Sequence, residues 1–137
     1  MKREKTKLSK HNPYYIPRER YLELKHFCLQ YDDWKAALTL IDAWGTAPND
    51  ISGVIKGMPP ESLTERKALA RVYYSRCIDI LDKCIAELDS TLAPFVFRGV
   101  TEGIGYSQLQ ANGCPCCRDI YYENYRYFFW LLSKERQ

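Results

Sequence analysis

No run of eighteen apolar residues occurs in this 137-residue chain, so no segment reads as a membrane-spanning helix. The charged start, Met1 to Lys5, is followed by no apolar stretch, and no secretory leader is expected. Charge of one sign is scarce: 20 Lys and Arg face 17 Asp and Glu, and the net +3 is less basic than most nucleic-acid binders carry. Period-two alternation is missing, which argues against strands. What is present is a globular balance, 46% hydrophobic and 14% aromatic, which excludes a disordered chain. At this length the balance suits one domain, or one domain with a tail.

The six cysteines, at 28, 77, 84, 114, 116 and 117, do not read as a disulfide framework. With no leader expected, reduced thiols in a cytoplasmic protein are the simpler reading. Cys114-Pro115-Cys116-Cys117 contains one C-x-x-C, but a structural zinc site needs four ligands, and no second pair exists. No metal or other cofactor is expected. Cys114 should fill an apolar turn position, with one neighbour facing the core. Catalysis is not expected either. Gly99, Gly103 and Gly105 follow no strand, His11 and His26 have no recognisable nucleophile, and Asp32-Asp33 reads as helix-capping carboxylates.

The charge is uneven. Residues 1–25 carry a local +5, 26–60 sum to −2, 61–93 to −1 and 94–137 to +1. A basic N-terminal arm over 1–17 is either a solvated tail or a clamp on a nucleic-acid backbone. Pro17 can open a helix, and Tyr21, Leu24, Phe27, Cys28 and Tyr31 follow at helical spacing, predicting a helix near 18–30. Asp32-Asp33 then caps a short helix with Trp34, Ala37, Leu38 and Ile41 on its apolar face. Three Gly and three Pro between Gly45 and Pro60 mark a long connector, so 18–60 reads as a helical hairpin and loop.

Ser62-Leu63-Thr64-Glu65 is a capping box opening a helix to about Leu88. Its predicted stripe is Leu69, Val72, Tyr73, Cys77, Ile80, Leu81, Cys84, Ile85 and Leu88, with Cys77 and Cys84 as small core residues. Short helices follow at Leu92–Thr101 and Tyr106–Asn112, separated by Glu102-Gly103-Ile104-Gly105. After the turn Gly113-Cys114-Pro115, a last helix should run from about Cys116 to Lys134. Its core side is read as Ile120, Tyr121, Tyr125, Phe128, Phe129 and Leu132. Seven of the ten residues 121–130 are aromatic, more than one face can bury, so part of the cluster should meet the N-terminal helices or a second subunit. The fold class is all-α, with 61–137 holding the long helix and a helix-turn-helix.

Two helices joined by a tight glycine turn are common to many folds. The detail between Leu92 and Leu132 is more specific. Gly103, Tyr106, Leu109, Gly113 and Pro115 stand where the C-terminal, promoter-reading region of bacterial sigma factors has its acidic-Gly-apolar-small-Tyr run and its Gly-apolar-Ser/Pro turn. The segment resembles that region, and the chain resembles phage regulators of the ArpU and RinA type, which carry such a module after a helical N-terminal part. It departs by one residue fewer between Leu109 and Gly113 and one more between Pro115 and Ile120.

The resemblance implies a phage or prophage late-gene transcription regulator that acts in the cytoplasm of a bacterial host. Its partners would be double-stranded DNA and RNA polymerase, with no membrane; a homodimer is compatible with it. The second helix would read the major groove. With the core side as read above, Arg118, Asp119, Tyr122, Glu123 and Arg126 face solvent. Arg118 would reach a guanine edge, Tyr122 a phosphate or thymine methyl, and Arg126 a phosphate. Ser107 and Gln108 would hold the backbone. The acidic neighbours Asp119 and Glu123 would repel phosphates. The alternative is an adaptor that keeps the helical scaffold but binds a protein complex: polymerase, nuclease or a capsid or packaging component.

Overall fold

The computed structural model describes residues 12–44 and 63–136. They form six helices and no strand, so the chain is all-α: α1 Arg18–Cys28, α2 Tyr31–Trp44, α3 Leu63–Ala86, α4 Ala93–Glu102, α5 Tyr106–Ala111 and α6 Arg118–Glu135. The first eleven residues of the basic arm, the connector expected at 45–60 and the Ser62 half of the capping box lie outside the described residues. α2 starts at Tyr31, one residue before the acidic pair. Asp32 and Asp33 therefore occupy its first turn, facing the positive helix end, rather than its cap.

Two compact units divide the chain, and they do not follow sequence order. One holds the described residues up to Gln30 together with those from Ile80 onward; the other is Tyr31–Asp79. α1 thus groups with the C-terminal helices.

In the first unit, α1 packs on α6 and α4, and α4 packs on α5 and α6. Pro17 closes the start of α1, its carbonyl accepting the Tyr21 N–H at 2.9 Å. The buried stripe Tyr21, Leu24, Phe27 and Cys28 meets the aromatic side of α6. The Tyr21 and Tyr125 hydroxyls lie 2.8 Å apart, and the Tyr21 ring meets Phe129 edge-on at 5.1 Å. Tyr14, just before α1, lies 5.0 Å from Tyr127 and 5.4 Å from Trp130. The aromatic surplus of α6 is thus largely taken up by the N-terminal segment.

A polar clamp closes the far end of the same contact. Arg20 donates to Ser133 Oγ at 3.2 Å, to the Ser133 carbonyl at 3.0 Å and to the Arg136 carbonyl. Arg136 lies over the Phe27 ring at 4.1 Å and bonds Glu23 at 3.3 Å. The Arg20 hydrogen bond leads in holding the exposed Glu23 carboxyl below its ordinary range.

α4 presents Gly99 to α6. A Cβ there would run into the Tyr121 hydroxyl, so glycine is what lets this tyrosine lie against α4. α3 contributes Leu81 and Cys84 to the core of this unit.

The second unit joins α2 to the first part of α3. Trp34 and Ile41 are buried, Ala37 and Leu38 half-buried, and Arg71 bonds Asp42 through Nη2 at 2.6 Å and Nε at 3.2 Å. Here the expected α3 stripe fails. Leu69, Val72 and Tyr73 are exposed at 63%, 61% and 54%, while Arg66 and Lys67 are buried. From Cys77 onward the stripe is buried at Cys77, Leu81, Cys84 and Leu88, with Ile80 and Ile85 half-buried, and Ile78, outside the expected stripe, is buried as well. The periodicity is helical throughout; what differs is which side of the helix is buried at each end.

Candidate nucleic-acid interface

The site grows from two glycines. Gly103 adopts φ 74° and ends α4, its N–H donating to the Gly99 carbonyl at 3.1 Å. Gly113, at φ 102°, ends α5. There Gly113 N–H donates to the Gln110 carbonyl and Cys114 N–H to the Leu109 carbonyl, each at 3.0 Å. That pair of bonds is a Schellman motif, which needs a left-handed residue and so favours glycine. Its hydrophobic partners, Leu109 and Cys114, are both buried. Tyr106, from the first turn of α5, donates to the Cys116 carbonyl at 2.6 Å and pins the far side of the turn.

α6 then opens at Arg118, with Cys117 in extended conformation as its N-cap and no side-chain cap bond. The helix begins two residues later than expected. The Arg118 guanidinium sits 5.6 Å from the Tyr106 ring centre and 5.9 Å from that of Tyr122, held by both faces while still partly open to solvent. Ser107 and Gln108 are exposed in the first turn of α5. Tyr106 bonds to the turn and lies beneath Arg118, so it ties the two helix starts into one framework.

The structure corrects the face assigned to α6. Ile120, expected in the core, is 47% exposed, and Tyr122, expected outside, is buried at 8%. Tyr121, Tyr125, Phe128 and Leu132 do define a line at helical spacing. The buried arc widens from that line toward Tyr122 and Phe129, which stand seven residues apart, and away from Ile120. Tyr122 meets Tyr121 at 4.9 Å and Tyr125 at 5.4 Å, both edge-on. It is therefore a support for Arg118 rather than a free contact residue.

Arg126 is half-buried, and its Nε and Nη1 have no hydrogen-bond partner among the described residues. Burial lowers its pKa, against the opposing carboxylates of Glu123 and Asp119. Two of its three guanidinium nitrogens are thus turned inward, which leaves less of it open to a phosphate than expected. The exposed surface at the start of α6 is instead Asp119, Ile120 and Glu123 beside Arg118.

The turn thiols are graded: Cys114 buried, Cys116 half-buried and Cys117 exposed. Cys114 and Cys116 Sγ lie 3.8 Å apart, and burial with the Cys114 contact pushes the Cys116 thiol up to about 11. Among the described residues, no group of three His, Cys, Asp or Glu side chains is placed to hold a metal. No helix among them is long and apolar enough to cross a membrane.

Comparisons with protein-family models, with curated proteins and with solved structures give no match for this chain.

Proposed function

We propose that α5, the 112–117 turn and α6 act as a DNA-reading helix-turn-helix in a transcription regulator of the phage late-gene kind. The observation that carries this reading is Arg118 as the first residue of α6, held over Tyr106 and Tyr122 directly after a Schellman turn. The first turns of a recognition helix are the ones that meet base edges, while the preceding helix touches the backbone. An arginine fixed there can offer two parallel donors to guanine O6 and N7. Ser107 and Gln108, exposed on α5, would bond phosphate oxygens.

The contact role expected for Tyr122 passes to packing, and Arg126 offers less open charge than expected. Base reading then rests on a short segment, and backbone affinity on the Lys- and Arg-rich arm of residues 1–17. The described residues carry as many Asp and Glu as Lys and Arg, so the basic excess lies in the arm. Such a regulator would work in the host cytoplasm and could engage RNA polymerase.

A mobility-shift assay on duplexes from the chain's own control region tests this. Arg118→Ala should weaken binding by about tenfold or more. Binding that is unchanged in the variant would remove Arg118 from the proposed role.

A second reading, a protein-binding adaptor, is favoured by one observation. Asp119, Ile120 and Glu123 form an acidic patch around an exposed apolar side chain on the same helix start. Affinity capture separates the two readings. A stoichiometric protein lost with Ile120→Asp but retained with Arg118→Ala supports the adaptor.

A further inference from the structure

The exposed side of α3 carries Leu69, Val72 and Tyr73 at i, i+3 and i+4, all more than half open to solvent. Three large apolar side chains in one contiguous helical patch are unlike the scattered exposed residues that any surface tolerates. The charges that flank the patch are ordered. Glu65 lies one turn before Leu69, and Arg76 one turn after Val72; both are exposed, and neither forms an ion pair among the described residues. Arg71, between them, is already engaged with Asp42.

The order is self-complementary. When two copies of a helix pair antiparallel about a two-fold axis, the numbers of facing residues have a constant sum. With the axis passing between Ala70 and Arg71, Leu69 faces the Val72 of a second copy, and Glu65 faces its Arg76. Tyr73 then faces Ala68, an exposed small residue that leaves room for the ring. Every apolar residue meets an apolar one and both charges meet their opposite, twice over by symmetry. A parallel pairing in register would set like charges side by side.

We infer that this face of α3 is a homodimer contact, its occupant a second copy of the chain in the antiparallel register centred between Ala70 and Arg71. From Glu65 to Arg76 the contact spans about 17 Å of helix. A patch of that length belongs with small, reversible interfaces rather than obligate ones. The dimer should therefore form with rising concentration and dissociate on dilution. The contact does not depend on what the α5–α6 region binds.

Sedimentation equilibrium of the full chain over a range of concentrations tests it. The wild type should pass from one chain to two. Val72→Glu should abolish the dimer, and the milder Leu69→Gln should weaken it. Glu65→Arg should weaken association by about tenfold, since two exposed ion pairs become repulsive. The double variant Glu65→Arg with Arg76→Glu should restore it. These side chains are exposed, so helix content by circular dichroism should match the wild type. A wild type that stays a single chain throughout, a dimer that survives Val72→Glu, or a double variant as weak as the single one would each overturn the inference.

Discussion

Gly113 is the residue on which the geometry of the α5–α6 turn depends most. Its φ of 102° is a conformation that a side chain disfavours, although a Cβ there would meet nothing within 4 Å. Gly113→Ala should cost about 1–2 kcal/mol, read as a lower denaturant midpoint with unchanged slope. Gly99 is the reverse case, a glycine required by a neighbour: Gly99→Ala would have to displace the Tyr121 hydroxyl. That hydroxyl is buried without a hydrogen-bond partner among the described residues, and burial pushes its pKa upward. Tyr121→Phe removes an unsatisfied polar atom and keeps the ring, so stability should hold or rise by up to about 1 kcal/mol. A clear loss of stability in that variant would show that the hydroxyl has a partner in solution, such as a bound water.

At the scale of elements, the electrostatics of α6 decide how the proposed reader would behave. Asp119 and Glu123 stand exposed beside Arg118 and would oppose phosphate. Asp119→Asn with Glu123→Gln should tighten DNA binding by about tenfold at low salt, an advantage that shrinks as salt screens it. Titration by fluorescence anisotropy reads both effects, and an unchanged affinity would mean that α6 does not face the backbone.

The helices were legible because their ends carry chemistry: Pro17 before α1, Gly103 after α4, Gly113 after α5. Phase was less legible. In α6 seven of the ten residues 121–130 are aromatic, so several rotations of the helix offer rings to the core. Which rotation is adopted depends on the packing of α1 and α4 against α6, which the local pattern does not contain. In α3, Leu69, Val72 and Tyr73 continue the spacing of Cys77, Leu81 and Cys84, yet the first set is more than half exposed and the second buried. A periodic pattern states that a face is apolar; it does not state what covers it. Arg118 was legible as a candidate from its place after the turn. Its Tyr106 and Tyr122 supports were not, because contacts across a turn have no period in the sequence.

For the molecule as a whole, the six thiols report the fold. Cys28, Cys77, Cys84 and Cys114 are buried, Cys116 is half-buried and Cys117 exposed. A thiol reagent should label Cys117 first and Cys116 more slowly, with the other four reacting only on unfolding. Burial raises the Cys28 thiol and pushes Cys84 up to about 12, against an ordinary value of 9.0. A thiol whose pKa is raised by folding contributes its full share of stability below 9.0 and loses it as pH rises toward the folded value. The melting temperature should therefore be insensitive to these thiols near neutrality and fall above pH 9.0, and Cys84→Ala should flatten that fall. The central claim is that Arg118, fixed at the start of α6, reads a base, and selection from random DNA duplexes tests it most directly. The wild type should enrich a short sequence with a fixed guanine, and Arg118→Ala should lose preference at that position while keeping the rest. No enriched sequence, or the same guanine retained by Arg118→Ala, would contradict it.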